Sequence, residues 1–182
     1  VMPGFTGSLL DQTCAAAVAR QIAYGAERGV PWGVSESAYN VVDVHLTYQY
    51  RAFGVPGLGL KRGLSEDMVV APYASALALL VAPAAAAQNL RRLSEEGAEG
   101  EFGLYEAIDY TQARLPRGQE RALIRSYMAH HQGMSLLAFA HALLDRPMQK
   151  RFESDPQFQA TMPLLQERVP RTAVQYLHAT EL

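Results

Sequence analysis

The chain has 182 residues, enough for one domain with a real core and too few for two. Its 16 basic and 18 acidic residues leave a formal net charge of −2, no field strong enough to point to nucleic acid or a membrane surface. The single cysteine, Cys14, excludes an internal disulfide and stands among alanines as a small apolar residue.

Val1-Met2-Pro3-Gly4-Phe5 has neither a charged leader region nor a cleavage pattern, and no initiator methionine stands at position 1, so we expect a piece of a longer protein. The first helix is predicted from Leu9 to Glu27. Ser8 with Asp11 three places on resembles a capping box, and apolar residues at 10, 14, 17, 18 and 22 share one helical stripe. Gly29 ends it, and Pro31 fixes the direction of the next segment. The stretch 29–40 then places Trp32 and Tyr39 on either side of Glu36. An aromatic face beside a carboxyl suits a sugar ring held against a catalytic acid. The alternative is structural: Glu36 caps a short helix and Trp32 fills a gap.

Asn40 to Ala52 carries Val41, Val42, Val44, Leu46, Tyr48 and Tyr50, a partly alternating pattern in which strand and irregular structure compete. Phe53 to Gly63 has four glycines and ends near Lys61 and Arg62; its spacing matches neither phosphate-binding loop pattern. Asp67 is expected to cap a helix that takes Pro72 into its first turn and runs to Leu80. Ala82-Pro83 breaks it and starts a second helix as far as Glu96, with Leu77, Leu80, Leu90 and Leu93 as the contact stripe of the hairpin. After the glycine-rich turn 97–103, Tyr105 and Tyr110 flank Glu106 and Asp109, which share a face if helical and oppose one another if extended. Solvated loop acids are the plainer account of that segment.

A long helix is predicted from Glu120 to Leu144, with His130, His131 and Gln132 at its centre. Neighbouring helical histidines lie about 100° apart, so a jointly held zinc is not expected and no metal or cofactor is implied. These three residues either line a polar pocket or divide between core and surface. A last helix starts at the Asp155-Pro156 cap, carries Phe158, Met162, Leu164 and Leu165, and exits before Pro170. Helices therefore dominate, and all-α is the expected class.

Taken together, the runs 29–40, 48–51, 53–63, 71–73, 105–110, 127–134 and 165–168 resemble, in order and over nearly the whole chain, the glucoamylase-like region of bacterial cyclic β-1,2-glucan synthases. The resemblance implies part of an (α/α)6 toroid, roughly its C-terminal half, belonging to a larger membrane-anchored synthase and facing the cytoplasm. It also implies a transglycosylase that closes linear β-1,2-glucan into rings with two carboxylates. On the family pattern Glu36 is the acid/base and Glu106 the nucleophile, with Asp43 and Asp109 in reserve. Trp32, Tyr39, Tyr50, Tyr105 and Tyr110 would stack on glucose, while Lys61, Arg62, Asp109, His130, His131 and Gln132 would bind hydroxyls. An inverting endo-β-1,2-glucanase and a non-catalytic glucan-binding module are the alternatives.

Overall fold

In the computed structural model, residues 8–165 are described; the expected helix exit near Pro170 and the run 166–168 lie outside them. The first helix, α1 (Leu9–Arg28), opens on the expected capping box: Asp11 N donates to Ser8 Oγ at 3.1 Å, and Ser8 N donates to the Asp11 carboxylate at 3.3 Å. It closes at Gly29, whose φ of 71° puts the chain in the left-handed region that glycine enters without steric cost. The chain turns back over α1 so closely that a Cβ on Gly25 would lie 2.8 Å from that of Trp32.

The all-α expectation needs correction, because among the described residues seven short strands accompany the helices. β1 (Ser37–Val42) and β2 (Tyr48–Arg51) form an antiparallel hairpin with a bulge between Tyr39 and Val42, which resolves the ambiguous segment in favour of strand. β3 (Val69–Val70), β6 (Ala107–Asp109) and β7 (Ala122–Ile124) make a second antiparallel sheet in the order β3-β6-β7, with Val70 opposite Ile108 and Ile108 opposite Leu123. β4 (Glu99–Gly100) and β5 (Gly103–Leu104) close a small hairpin between them.

Two predicted helices shrink accordingly. Asp67 caps nothing: Arg51 and Arg114 hold its carboxylate, Val69–Val70 is extended, and α2 begins only at Pro72 (Pro72–Leu77) before tightening into a 3₁₀ turn over Ala78–Leu80. The helix expected from Glu120 starts at Ala129, as α4 (Ala129–Leu143), because 122–124 pairs with β6. The Ala82-Pro83 break falls where expected, and α3 (Pro83–Leu93) runs into a wide turn through Ala98 in which Gly97 is left-handed. α5 (Pro147–Glu153) was not anticipated, while α6 (Pro156–Thr161) has the Asp155 cap, which accepts from Gln157 N and Phe158 N.

The core sits where this sheet meets the helices. Tyr24, Val34, Met68, Val70, Leu93 and Ile108 form its largest cluster, each worth roughly 1.5–3 kcal/mol if fully apolar and fully buried. A polar knot pins the Trp32 main chain to two helices. Asn89 accepts from Trp32 N at 3.1 Å and donates to Trp32 O at 2.7 Å, and Ser75 donates to the same carbonyl at 2.9 Å. Leu9 and Leu10 of α1, with Leu136, Leu137 and Leu143 of α4, remain exposed. Among the described residues no helix is long and apolar enough to cross a membrane.

Candidate active site

Glu36 rises from a loop braced on both sides. Gln21 grips Val34 from either side, its amide donating to Val34 O at 2.7 Å and its carbonyl accepting from Val34 N at 3.0 Å. Val34 also bridges to Val70, and Gly33 adopts a φ of 123° where a Cβ would strike Ser75 Oγ at 2.6 Å. Past the acid, Ser37 and Ala38 are buried as the chain enters β1. Glu36 itself is exposed.

Glu106 is the reverse case. It immediately precedes β6, is only 2 % exposed, and its carboxylate meets His131 Nδ1 at 2.9 and 3.0 Å and Ala38 N at 3.3 Å. An ionised carboxylate only accepts, so Nδ1 carries the hydrogen and Nε2 is left to face the opposite way. His131 is 1 % exposed and lies flat on Tyr73, with ring centroids 3.7 Å apart and planes 10° from parallel. Ser35 Oγ and the Tyr73 hydroxyl share a hydrogen bond of 2.7 Å, tying that ring to the loop that carries Glu36.

His130 leans on His131 at 3.9 Å between centroids, and Tyr50 approaches both, its hydroxyl 3.3 Å from His131 Nε2. Loss of solvation, followed by the negative charge of Glu36, pushes the Tyr50 phenol up to about 12, so it remains a donor at neutral pH. One carboxylate oxygen of Glu36 and one ring nitrogen of each histidine all lie within 4.8 Å of one another. Adjacent helical histidines were expected to diverge too far to share an ion; in the first turn of α4 their rings instead lie 3.9 Å apart, with a donor nitrogen of each within 4.8 Å of the other.

The remaining predicted residues lie elsewhere in the fold. Trp32 is 8 % exposed and packs on Val18, Ile22 and Ala86, the gap-filling alternative. Tyr39 packs edge-on against Phe53 beneath the guanidinium groups of Arg51 and Arg114. Asp109 is fully buried on Arg114 at 2.8 Å, and also accepts from Asn40 N and Thr111 N. Asp43 shapes the β1–β2 turn by accepting from His45 N and Thr47 N. Tyr105 packs on Tyr127, and Gln132 donates to Leu104 O at 2.9 Å. The Tyr110 hydroxyl donates to Glu96 at 2.5 Å beside a separate cavity of about 550 Å³ lined by Arg28, Met68 and Arg121. Lys61 and Arg62 are exposed on their loop. Tyr73 and Ser35 were missed, since a tyrosine in an alanine-rich helix reads as core and a serine before an acid reads as a cap.

A family model described as "Glycoamylase: Putative glucoamylase" matches residues 14–156. The chain is 48% identical over 171 residues to cyclic beta-(1,2)-glucan synthase NdvB of Rhizobium meliloti (strain 1021), a match that covers 94% of this chain and 6% of that protein. Among solved structures it is similar to a glucoamylase-type protein from Bacteroides caccae ATCC 43185, with a TM-score of 0.58 at 23% identity over 88% of this chain and 35% of that one. It is also similar to the endo-beta-1,2-glucanase of Chitinophaga pinensis, with a TM-score of 0.50 at 21% identity over 88% and 33% of the two chains. The chain therefore spans only a small part of the synthase and about a third of each solved neighbour.

Proposed function

Because this chain belongs to the glucoamylase family whose model it matches over residues 14–156, we propose that it processes β-1,2-linked glucan through proton transfer at Glu36. The observation that carries this reading is the placement of Glu36: an exposed carboxyl on a rigid loop, beside the exposed His130 imidazole and the Tyr50 phenol, which can hold sugar hydroxyls. The glucan class follows from the synthase at 48% identity.

Glu36 gives its proton to the glycosidic oxygen as the bond from the anomeric carbon breaks, and recovers one from the attacking hydroxyl. When that hydroxyl belongs to the far end of the same glucan the product is a ring; when it belongs to water the chain is cut. Glu106 was expected to be the nucleophile, but its carboxylate exposes no surface to a sugar and is committed to His131. Glu106 is instead a positioning residue that sets the tautomer of His131 and so presents Nε2 to the Tyr50 hydroxyl. A two-carboxylate mechanism then draws its second carboxylate from beyond residues 8–165. The exposed leucines of α1 and α4 support a place within a larger (α/α)6 ring, where neighbouring helices would cover them.

The test is product analysis of linear β-1,2-glucan treated with the intact enzyme and its Glu36→Gln variant. Loss of a general acid lowers turnover by about 10²- to 10⁴-fold. Mass spectrometry distinguishes rings, one water lighter than linear glucan, from the shorter linear products of an endo-β-1,2-glucanase. Full turnover by Glu36→Gln would remove Glu36 from the chemistry.

A further inference from the structure

Proton transfer at Glu36 does not require two imidazoles to converge on it, yet one oxygen of Glu36 and one nitrogen each of His130 and His131 lie within 4.8 Å of one another. We propose that these three side chains form a binding site for a single divalent transition ion of the Zn²⁺ type, which on binding withdraws Glu36 from proton exchange. Only that effect on turnover rests on the role given to Glu36 above; the binding itself does not.

Two imidazole nitrogens and one carboxylate oxygen are a donor set suited to zinc, with the fourth position left to water. One of the ligands is already organised for it. His131 is clamped between the Tyr73 ring and the Glu106 carboxylate, and the hydrogen bond from Nδ1 to Glu106 leaves the Nε2 lone pair available. A carboxylate behind a histidine fixes the ring and strengthens the nitrogen as a ligand, and such partners recur behind zinc-bound histidines.

The other two ligands supply the adjustment. His130 and Glu36 are both exposed, so small rotations can bring the donor atoms to the roughly 3.3 Å separations that bonds of about 2.0–2.1 Å require around a tetrahedral ion. The Tyr50 hydroxyl, 3.3 Å from Nε2, turns aside to water as the ion enters. Charge favours the exchange as well, because two carboxylates, Glu36 and Glu106, flank the same imidazole. Mg²⁺ and Ca²⁺ should not bind well, since they call for several oxygen ligands and the trio offers one carboxylate.

The experiment is calorimetric titration of the full chain with ZnCl₂, alongside MgCl₂, repeated on Glu36→Gln, His130→Ala and Glu106→Gln. We expect one zinc per chain and no response to magnesium, with affinity down at least about tenfold in Glu36→Gln and His130→Ala and about 10- to 100-fold in Glu106→Gln. Co²⁺ in place of Zn²⁺ should give the visible absorption of a tetrahedral ion, a readout independent of activity. Zinc affinity unchanged in both Glu36→Gln and His130→Ala, or no zinc binding at micromolar concentrations, would overturn the site. Zinc held by the trio with glucan turnover undiminished would leave the site standing and refute the catalytic role of Glu36.

Discussion

Glu106→Ala separates a positioning glutamate from a nucleophilic one. The substitution removes the acceptor of two buried donors, His131 Nδ1 and Ala38 N. Each donor left unpaired costs about 1–3 kcal/mol, and the void adds on the order of 1 kcal/mol. The expected loss is then about 3–7 kcal/mol, a range that includes the roughly 3–5 kcal/mol that breaking a buried charged pair typically costs. With a urea dependence of about 2 kcal/mol per molar, the midpoint should fall by roughly 1.5–3.5 M. Glu106→Gln keeps the shape and one acceptor, and should lose only about 1 kcal/mol as a charge-assisted bond becomes neutral. Urea unfolding followed by circular dichroism, at one protein concentration, measures both. A nucleophile open to the cleft would behave otherwise, with activity abolished and stability nearly untouched. An alanine variant whose midpoint stays within about 0.5 M of the parent would refute the sealed-pair account.

Asn89→Ala should cost about 1–3 kcal/mol for each Trp32 main-chain group it leaves without a partner, read as a lower urea midpoint. It should also impair turnover, because the same segment carries Glu36; unchanged stability would mean that water replaces the amide. The raised Tyr50 phenol gives a pH signature: its native state holds the proton more tightly than the unfolded chain, whose tyrosines ionise near 10. That contribution is complete below about pH 10 and disappears as pH rises through about 12, so alkaline stability should fall over this window and fall less in Tyr50→Phe. Phenolate absorbance provides the check, and ionisation of Tyr50 near pH 10 would contradict the partial desolvation and the Glu36 charge assigned to this exposed ring.

Helix ends were the most legible part of the fold because their signals are local. Ser8 with Asp11, Gly29, Pro83 and Asp155 act within a turn of their own positions, and each does what its residue type predicts. The central sheet was hidden for the opposite reason. β3, β6 and β7 have two or three residues each, and β3 and β6 are buried throughout, so no alternation develops, and their pairing joins segments far apart in sequence. The candidate site divides in the same way. An acid in an aromatic, glycine-rich loop could be recognised at Glu36, whereas the burial of Glu106 and Asp109 depends on partners at His131 and Arg114 that local spacing does not reveal. Tyr73 escaped notice because its role is a stacking contact across 58 positions of chain.

The pairing of Glu106 with His131 also orders events in time. During synthesis the strand after Glu106 is complete before α4 exists, and until the imidazole arrives the carboxylate has only one main-chain amide to meet it. Closing the sheet over a bare charge costs far more than leaving it in water. Sealing the sheet over the ionised carboxylate is therefore favoured once the first turn of α4 has docked and supplied the imidazole. A core closed without the imidazole would lack the main partner of its buried carboxylate, which couples the packing of the interior to completion of the site.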